Sequence, residues 1–324
     1  MSDTSEADLL YLDLSSGIDD SLEEVITGLR SQPRVLPSKL LYDDIGSALF
    51  DDITTLDEYY PTRTEKGLLS RIMSDLELLL PDNLALVEYG SGSSEKTHAL
   101  LAGLSSIVFY IPIDISREHL LQATEQIRIE HPSITVLPVC ADYSTKIDLG
   151  LDSVESDHVA VFFPGSTIGN FEKEHAVTFL GRIRSMLGPG GHLMIGVDLK
   201  KDLDILLPAY NDARGVTAAF NKNILSHINK RFDGDFDVDN FSHESIYNEE
   251  HGRIEMYLTA EAEMHVHIGN EEFVFETGDR ICTEYSHKYS VSEFEALADR
   301  ADFDVEHVWT DKQNLFSFQL LVAR

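Results

Sequence analysis

The residues best suited to chemistry gather around a glycine turn, Val87-Glu88-Tyr89-Gly90-Ser91-Gly92-Ser93-Ser94-Glu95-Lys96-Thr97. A G-x-G turn between a strand and a helix lets a ligand lie against bare backbone, and three chemistries compete for it. A dinucleotide fingerprint needs Gly or Ala at the close helix–strand contact, where this chain has Glu95. A phosphate-cradling loop, G-x-x-x-x-G-K-[ST], would use Gly90, Lys96 and Thr97, yet it too needs glycine at position 95. A carboxylate there also repels phosphate, by ~4 kcal/mol per unit charge at ~4 Å and an effective dielectric of ~20. The third reading is the acidic-x-Gly-x-Gly turn that receives S-adenosylmethionine. That cofactor carries no phosphate, and Gly90 and Gly92 would clear room for its adenosyl and amino-acid groups.

Two later acids favour the third reading. Asp114 ends the next strand, where a carboxylate can accept from ribose hydroxyls. Asp142 ends the strand after that, placed to accept from the adenine amino group while Tyr143 packs on the base. A ligand-free strand–helix turn explains the two glycines alone but not the acids at successive strand ends. Further on, Phe162-Phe163-Pro164-Gly165-Ser166-Thr167-Ile168-Gly169-Asn170-Phe171 follows the fourth strand, over the mouth where a transferred methyl would sit. Asn170 there can offer both a donor and an acceptor; an ordinary connecting loop is the alternative.

Other constellations carry less. Asp233, Asp235, Asp237, Asp239 and Glu244 fit an EF-hand spacing, but the obligatory glycine position is Val238, and a solvated acidic face is expected. His265 and His267 alternate without a zinc-ligand partner set, and no metal site is expected. Neither Ser93 nor Ser166 lies in a G-x-S-x-G elbow, so serine hydrolysis is disfavoured.

The elements that must position these residues follow from hydrophobic pattern. The first ~15 residues are polar and expected to fray. A capping box at Ser21-Leu-Glu-Glu24 opens a helix to about Arg30, residues 47–53 read as helical, and Tyr59-Tyr60-Pro61-Thr62-Arg63 reads as a stiff turn before a helix over 65–79. Apolar strands then alternate with amphipathic helices: strands over 84–89, 107–113, 134–140, 158–163 and 193–197, helices over 96–101, 117–129 and 173–187. Unalternating apolar strands, each followed by a helix, predict a parallel sheet covered on both faces with right-handed crossovers. Helices broken at Pro208 and Gly215 follow, then a meander over 242–247, 254–260, 264–268 and 272–275 with a Gly269-Asn270 hairpin turn. A helix over 291–301 and strands over 305–309 and 316–322 complete the chain.

The expected fold class is α/β: a Rossmann-like S-adenosylmethionine methyltransferase domain plus a second α+β substrate domain. Residues 64–198 and 289–324 would form the first, residues 1–63 and the 199–288 insertion the second, with a ligand cleft between them. The 324 residues suit two domains. A net charge of −32 disfavours nucleic acid and anionic membrane as partners, and fits a need for solubility, as in a salty cytoplasm. No apolar run approaches a membrane span and no secretory signal is visible. Cys140 and Cys282 stand far apart, which predicts reduced thiols; a cytoplasmic, monomeric protein is expected.

With these residues in view, nearly the whole chain resembles the ergothioneine-pathway L-histidine Nα-methyltransferases. The resemblance rests on Leu41-Tyr42-Asp43-Asp44-Ile45-Gly46-Ser47-Ala48-Leu49-Phe50, Glu58-Tyr59-Tyr60-Pro61-Thr62-Arg63, the glycine turn, the 164–171 loop, Asp235-Phe-Asp-Val-Asp239, Ile254-Glu255-Met256 and Thr283-Glu284-Tyr285-Ser286-His287-Lys288-Tyr289. It implies trimethylation of the α-amine of histidine to hercynine, with S-adenosylmethionine held by Gly90, Gly92, Lys96, Asp114, Asp142 and Tyr143. It implies that Tyr59, Asn170 and Tyr210 hold the substrate carboxylate, and that Tyr42, Phe50 and Gly165 surround the amine. Glu284 and Ser286 would bind the imidazole with Met256 beside it. Tyr42 is then the candidate catalytic group, as proton acceptor or water anchor. Phe50 can stabilise the growing cation by ~0.5–2 kcal/mol of cation–π contact. The alternatives are a methyltransferase for another amino acid or small amine, and a non-catalytic cofactor-binding relative.

Overall fold

A computed structural model of the chain describes residues 11–14, 21–92, 95–145, 147, 149–151 and 154–324. Ser93 and Ser94 of the glycine turn, and the first ten residues, lie outside the described residues.

The chain begins with strand β1 (Leu12–Asp13), helix α1 (Ser21–Arg30), strand β2 (Arg34–Val35) and helices α2 (Asp44–Thr54) and α3 (Tyr60–Leu79). Alternation follows through β3 (Leu84–Tyr89), α4 (Glu95–Gly103), β4 (Ile107–Asp114), α5 (Arg117–Glu130), β5 (Thr135–Val136) and β6 (Val139–Cys140). It continues with β7 (His158–Phe163), α6 (Lys173–Leu187) and β8 (His192–Asp198). Next come α7 (Leu203–Leu206), α8 (Val216–Phe232), β9 (Phe241–Asn248), β10 (Arg253–Ala260), β11 (Met264–Ile268), β12 (Glu271–Phe275) and β13 (Arg280–His287). The chain closes with α9 (Val291–Arg300), β14 (Phe303–Thr310) and β15 (Phe316–Ala323).

The large sheet runs β1-β6-β4-β3-β7-β8-β15-β14, with β5 beside β4. Strands β6, β4, β3, β7 and β8 are parallel neighbours, and β15 lies antiparallel between β8 and β14. Every residue of β3 is buried, because helices cover both faces. Leu68, Leu69 and Ile72 of α3 pack on one face with Leu100 of α4; Phe179 and Ile183 of α6 pack on the other with Phe294 of α9. The direction of winding reverses at β3, between β4 and β7, which puts the open crevice at the carboxyl end of β3. This is a Rossmann-like sheet, as the sequence pattern led one to expect.

A smaller sheet, β2-β13-β10-β9, and a separate ribbon, β11-β12, share a third core with α1, α2 and α8. The polypeptide enters and leaves this region beside one point: Leu199 and Tyr289 form a parallel bridge, and Tyr289 N–H donates to Asp198 O at 3.2 Å.

Four expectations are corrected. Leu12–Asp13, within the stretch expected to fray, is a strand that pairs in parallel with Val139–Cys140. The strand expected over 134–140 breaks into two at Leu137-Pro138, where proline has no N–H for the ladder. The stiff turn at 59–63 is the first turn of α3, with Pro61 at a position whose N–H has no helical acceptor. The meander is interrupted: β11 and β12 pair only with each other, and β13, which the sequence pattern did not reveal, returns to β10.

Candidate active site

At the end of β3, Gly90 (φ +72°) and Gly92 (φ +42°) turn the chain through left-handed geometry that side chains resist. The Gly92 N–H donates to Asp114 Oδ2 at 3.2 Å, and the Ser116 N–H to Oδ1 at 2.9 Å. Burial nevertheless raises the Asp114 carboxyl above its ordinary range. Asp142 receives the Ser144 N–H and hydroxyl at Oδ1, at 2.9 and 2.6 Å, and Lys39 Nζ at Oδ2, at 3.0 Å. Burial works to raise this carboxyl too, but Ser144 and Lys39 outweigh it and hold it below the usual value. A side chain added at Gly90 would come within 3.6 Å of the Tyr143 ring, which packs edge-on against Tyr89. Glu88, the acid ahead of the glycines, is buried and accepts from Thr97 at 2.7 Å and from Tyr110; burial pushes it to about 7.

The other predicted residues converge elsewhere. Tyr42, Phe50, Tyr59, Gly165, Asn170 and Tyr210 line one cavity. Met256, Glu284 and Ser286 complete the same wall. The cavity holds about 500 Å³ of atom-free space, part of it open to solvent. Its residues come from six stretches of chain, so no local motif encodes it. Tyr42 follows a turn of 3-10 helix, and Asp43 then caps α2 by accepting the Gly46 N–H, which sets the start of the helix carrying Phe50. Rings close one side: Tyr42 lies 5.7 Å from Phe50 and 5.4 Å from Phe220, centroid to centroid. Burial, with Glu284 adding to it, pushes the Tyr42 phenol well above its ordinary value. In the loop after β7, Gly165 (φ +80°) and Ser166 (φ +59°) form a left-handed kink, tied down where the Asp198 N–H donates to Ser166 Oγ at 2.9 Å.

The floor is the β10–β13 pair. Met256 stands opposite Glu284, but Tyr257 stands opposite Cys282, so Thr283 is an extra residue. Such a bulge re-aims neighbouring side chains. Thr283 is held in place by donating to Asn221 Oδ1 at 2.5 Å and to Met256 O at 3.1 Å. Glu284 is 9% exposed, and its Oε2 has no hydrogen-bond partner among the described residues. Burial pushes it to about 7, against the pull of Lys288. An orphaned acceptor here calls for a ligand N–H.

Two charged side chains that sequence reasoning missed bind these regions together. Glu65, fully buried on α3, accepts from Lys96 Nζ at 2.8 Å and from the Gly165 N–H at 3.0 and 2.9 Å. It thus joins the glycine-turn helix to the cavity wall, and a side chain at Gly165 would sit 3.5 Å from Lys96 Nζ. A lone glutamate in an amphipathic helix gives no sign of this. Lys288 is buried and reaches Tyr210, Ser286 and Asp198. Lysine is ordinarily a surface residue, so its position two residues after Ser286 gave no sign of this burial. Gly90, Gly92, Lys96, Asp114, Asp142 and Tyr143 do not line the cavity and group around the glycine turn instead.

The acids with EF-hand spacing point to different partners. Asp235 pairs with His267 at 2.9 Å, Asp237 caps a short 3-10 helix, and Glu244 pairs with Arg280. His265 pairs with Glu272 at 2.8 Å. Both cysteines are free and buried.

Comparison with known proteins identifies the family. The chain is 38% identical to a histidine N-alpha-methyltransferase of Mycolicibacterium smegmatis over 96% of its own length and 98% of the relative's. It is 35% identical to the enzyme of that name from Mycobacterium tuberculosis, over 92% of this chain and 93% of that one. It is also 31% identical to ergothioneine biosynthesis protein 1 of Neurospora crassa, over 95% of this chain but 36% of that longer one. The profile of the S-adenosylmethionine-dependent, histidine-specific methyltransferases matches residues 21–323. A match spanning both sheets and both groups of site residues makes this chain a member of that family.

Proposed function

We propose that the protein trimethylates the α-amino group of free L-histidine with S-adenosylmethionine, giving hercynine, the first step of ergothioneine biosynthesis. The observation that carries this reading is the single cavity that unites the ring-facing acid Glu284, with its orphaned oxygen, and the aromatic wall around Tyr42 and Phe50. The family membership and the relatives' activities support it.

In this reading Gly90, Gly92, Lys96, Asp114, Asp142 and Tyr143 hold the cofactor, which supplies an activated methyl on a sulfonium. The side-chain-free backbone of the Gly90–Gly92 turn suits such a group. Tyr59, Asn170 and Tyr210 take the substrate carboxylate, and Glu284 with Ser286 takes the imidazole beside Met256. The amine must meet the methyl in line as a neutral lone pair. A free α-amine has a pKa of ~8 or higher, and partial desolvation in this cavity eases loss of its proton, so no strong base is required. Alignment alone can supply ~7–11 kcal/mol. The raised Tyr42 phenol stays protonated at neutral pH, which favours its role as a water anchor over proton acceptor. Phe50, in contact with Tyr42 and Tyr59, faces the cation that builds up over three transfers.

The two lobes of the reading are residues 1–63 with 199–288, and 64–198 with 289–324, except that Leu12–Asp13 joins the edge of the main sheet, and the protein works as a cytoplasmic monomer. Among the described residues no helix is long and apolar enough to cross a membrane. Mass spectrometry of histidine incubated with protein and S-adenosylmethionine tests the activity: mono-, di- and trimethylated histidine are expected, and absence of all three sinks it.

A further inference from the structure

Lys288 lies wholly inside the protein, behind the cavity wall. Its ammonium has three hydrogens and three acceptors: Asp198 Oδ2 at 2.8 Å, Tyr210 Oη at 2.7 Å and Ser286 Oγ at 2.7 Å. It therefore has nothing left for a ligand and can act on one only through its partners. Tyr210 Oη and Ser286 Oγ also lie 2.9 Å apart. Because each oxygen already accepts from Lys288, each hydroxyl hydrogen must point away from it, toward the other hydroxyl or into the cavity. Asp198 fixes the ammonium in turn, and is itself held by the Tyr60 hydroxyl at 2.7 Å and by Lys201.

We propose that Lys288 is a positioning residue for substrate selection: by donating to both Tyr210 and Ser286 it leaves their hydroxyls only as hydrogen-bond donors, so a ligand must present acceptors to take the place of their mutual 2.9 Å bond, which otherwise occupies one of the two hydrogens. This deepens the histidine reading and rests on it. Glu284, with its orphaned oxygen, requires a ring N–H; the Ser286 hydrogen requires an unprotonated ring nitrogen; the Tyr210 hydrogen is left for a carboxylate oxygen. A ring with one N–H and one bare nitrogen meets both demands, and the neutral imidazole of histidine is such a ring. Without Lys288 the two hydroxyls are free to turn their hydrogens toward Asp198 and accept from the ligand instead.

The test compares calorimetric binding of histidine and of 2-pyrrolylalanine, which keeps the ring N–H but lacks the bare nitrogen, in cofactor-loaded protein. Wild type is expected to prefer histidine by at least about tenfold, the cost of leaving a buried donor unpaired. Lys288→Met is expected to weaken histidine by about tenfold or more and to shrink that preference toward unity, with cofactor affinity within about twofold of wild type. Should that variant fail to bind cofactor, Lys288→Met combined with Asp198→Asn, which leaves no buried carboxylate short of its cation, carries the same readout. A wild type that binds the two ligands equally, or a variant that keeps the full preference, overturns the proposal. Failure of wild type to methylate histidine at all overturns the functional reading instead, and the two results are read from different assays.

Discussion

The glycine turn and the cavity floor solve opposite problems. At the turn, Asp114 and Asp142 have their oxygens supplied by nearby backbone and side-chain donors before any ligand arrives. At the floor, Glu284 is left with an oxygen that no described residue satisfies. The turn is built from residues at successive strand ends; the cavity above the floor is assembled from segments as distant in sequence as Tyr42 and Ser286. A ligand shared by many enzymes is met by a locally built site that is stable when empty. The part that selects one substrate is where buried polar capacity is left open, and it is the costlier part to keep folded.

The largest effect should come from cutting the link between the two regions. Glu65→Ala removes the carboxylate beneath Lys96 and the Gly165 N–H, leaving a part-buried cation and an unpaired donor. Denaturant unfolding should show a loss of about 3–5 kcal/mol, together with weaker binding of cofactor and histidine. A loss confined to one ligand would mean the regions are independent after all.

Next comes the pH dependence of the empty floor. Glu284 titrates at about 7 in the fold against 4.5 in the open chain, so its ionisation opposes folding. That cost is full above pH 7, declines as the pH falls toward 4.5 and is absent below it. Glu284→Gln should therefore stabilise the ligand-free protein by on the order of 3 kcal/mol at pH 8, with the gain shrinking as the solution is acidified. Thermal unfolding at pH 8 and pH 5 checks the sign; a gain that grows on acidification contradicts it. In binding, Glu284→Ala should cost histidine about 1.5–3 kcal/mol, some ten- to hundredfold, and leave cofactor affinity alone. Calorimetry with unchanged histidine affinity would remove Glu284 from recognition. The smallest effect belongs to the turn: Gly92→Ala forces a side chain to φ +42°, a strain of about 1–2 kcal/mol, read as weaker cofactor binding at constant histidine specificity.

The same contrast governs what could be read from sequence. Strands β3 and β7 and helix α6 were legible to their ends, because burial on both faces of a strand, or on one face of a helix, leaves a clean pattern. Strand β13 was not, although it carries Glu284 and Ser286: Arg280-Ile-Cys-Thr-Glu-Tyr-Ser-His287 places polar residues at buried positions because they face the cavity. A working floor disguises the strand that makes it. Glu65 and Lys288 were missed for a related reason. Composition marks charged residues as surface, and only tertiary packing shows that these two hold the interior together.

The bridge between Leu199 and Tyr289 has a consequence for how such enzymes diversify. Since both ends of the intervening stretch are stitched together at one spot on the rim of the main sheet, that stretch can lengthen, shorten or exchange its strands without changing the distance its ends must span. Closing such a loop becomes harder only slowly with its length. New substrate preferences can then be tried in this stretch, against the fixed N-terminal wall of the cavity, without moving the glycine turn.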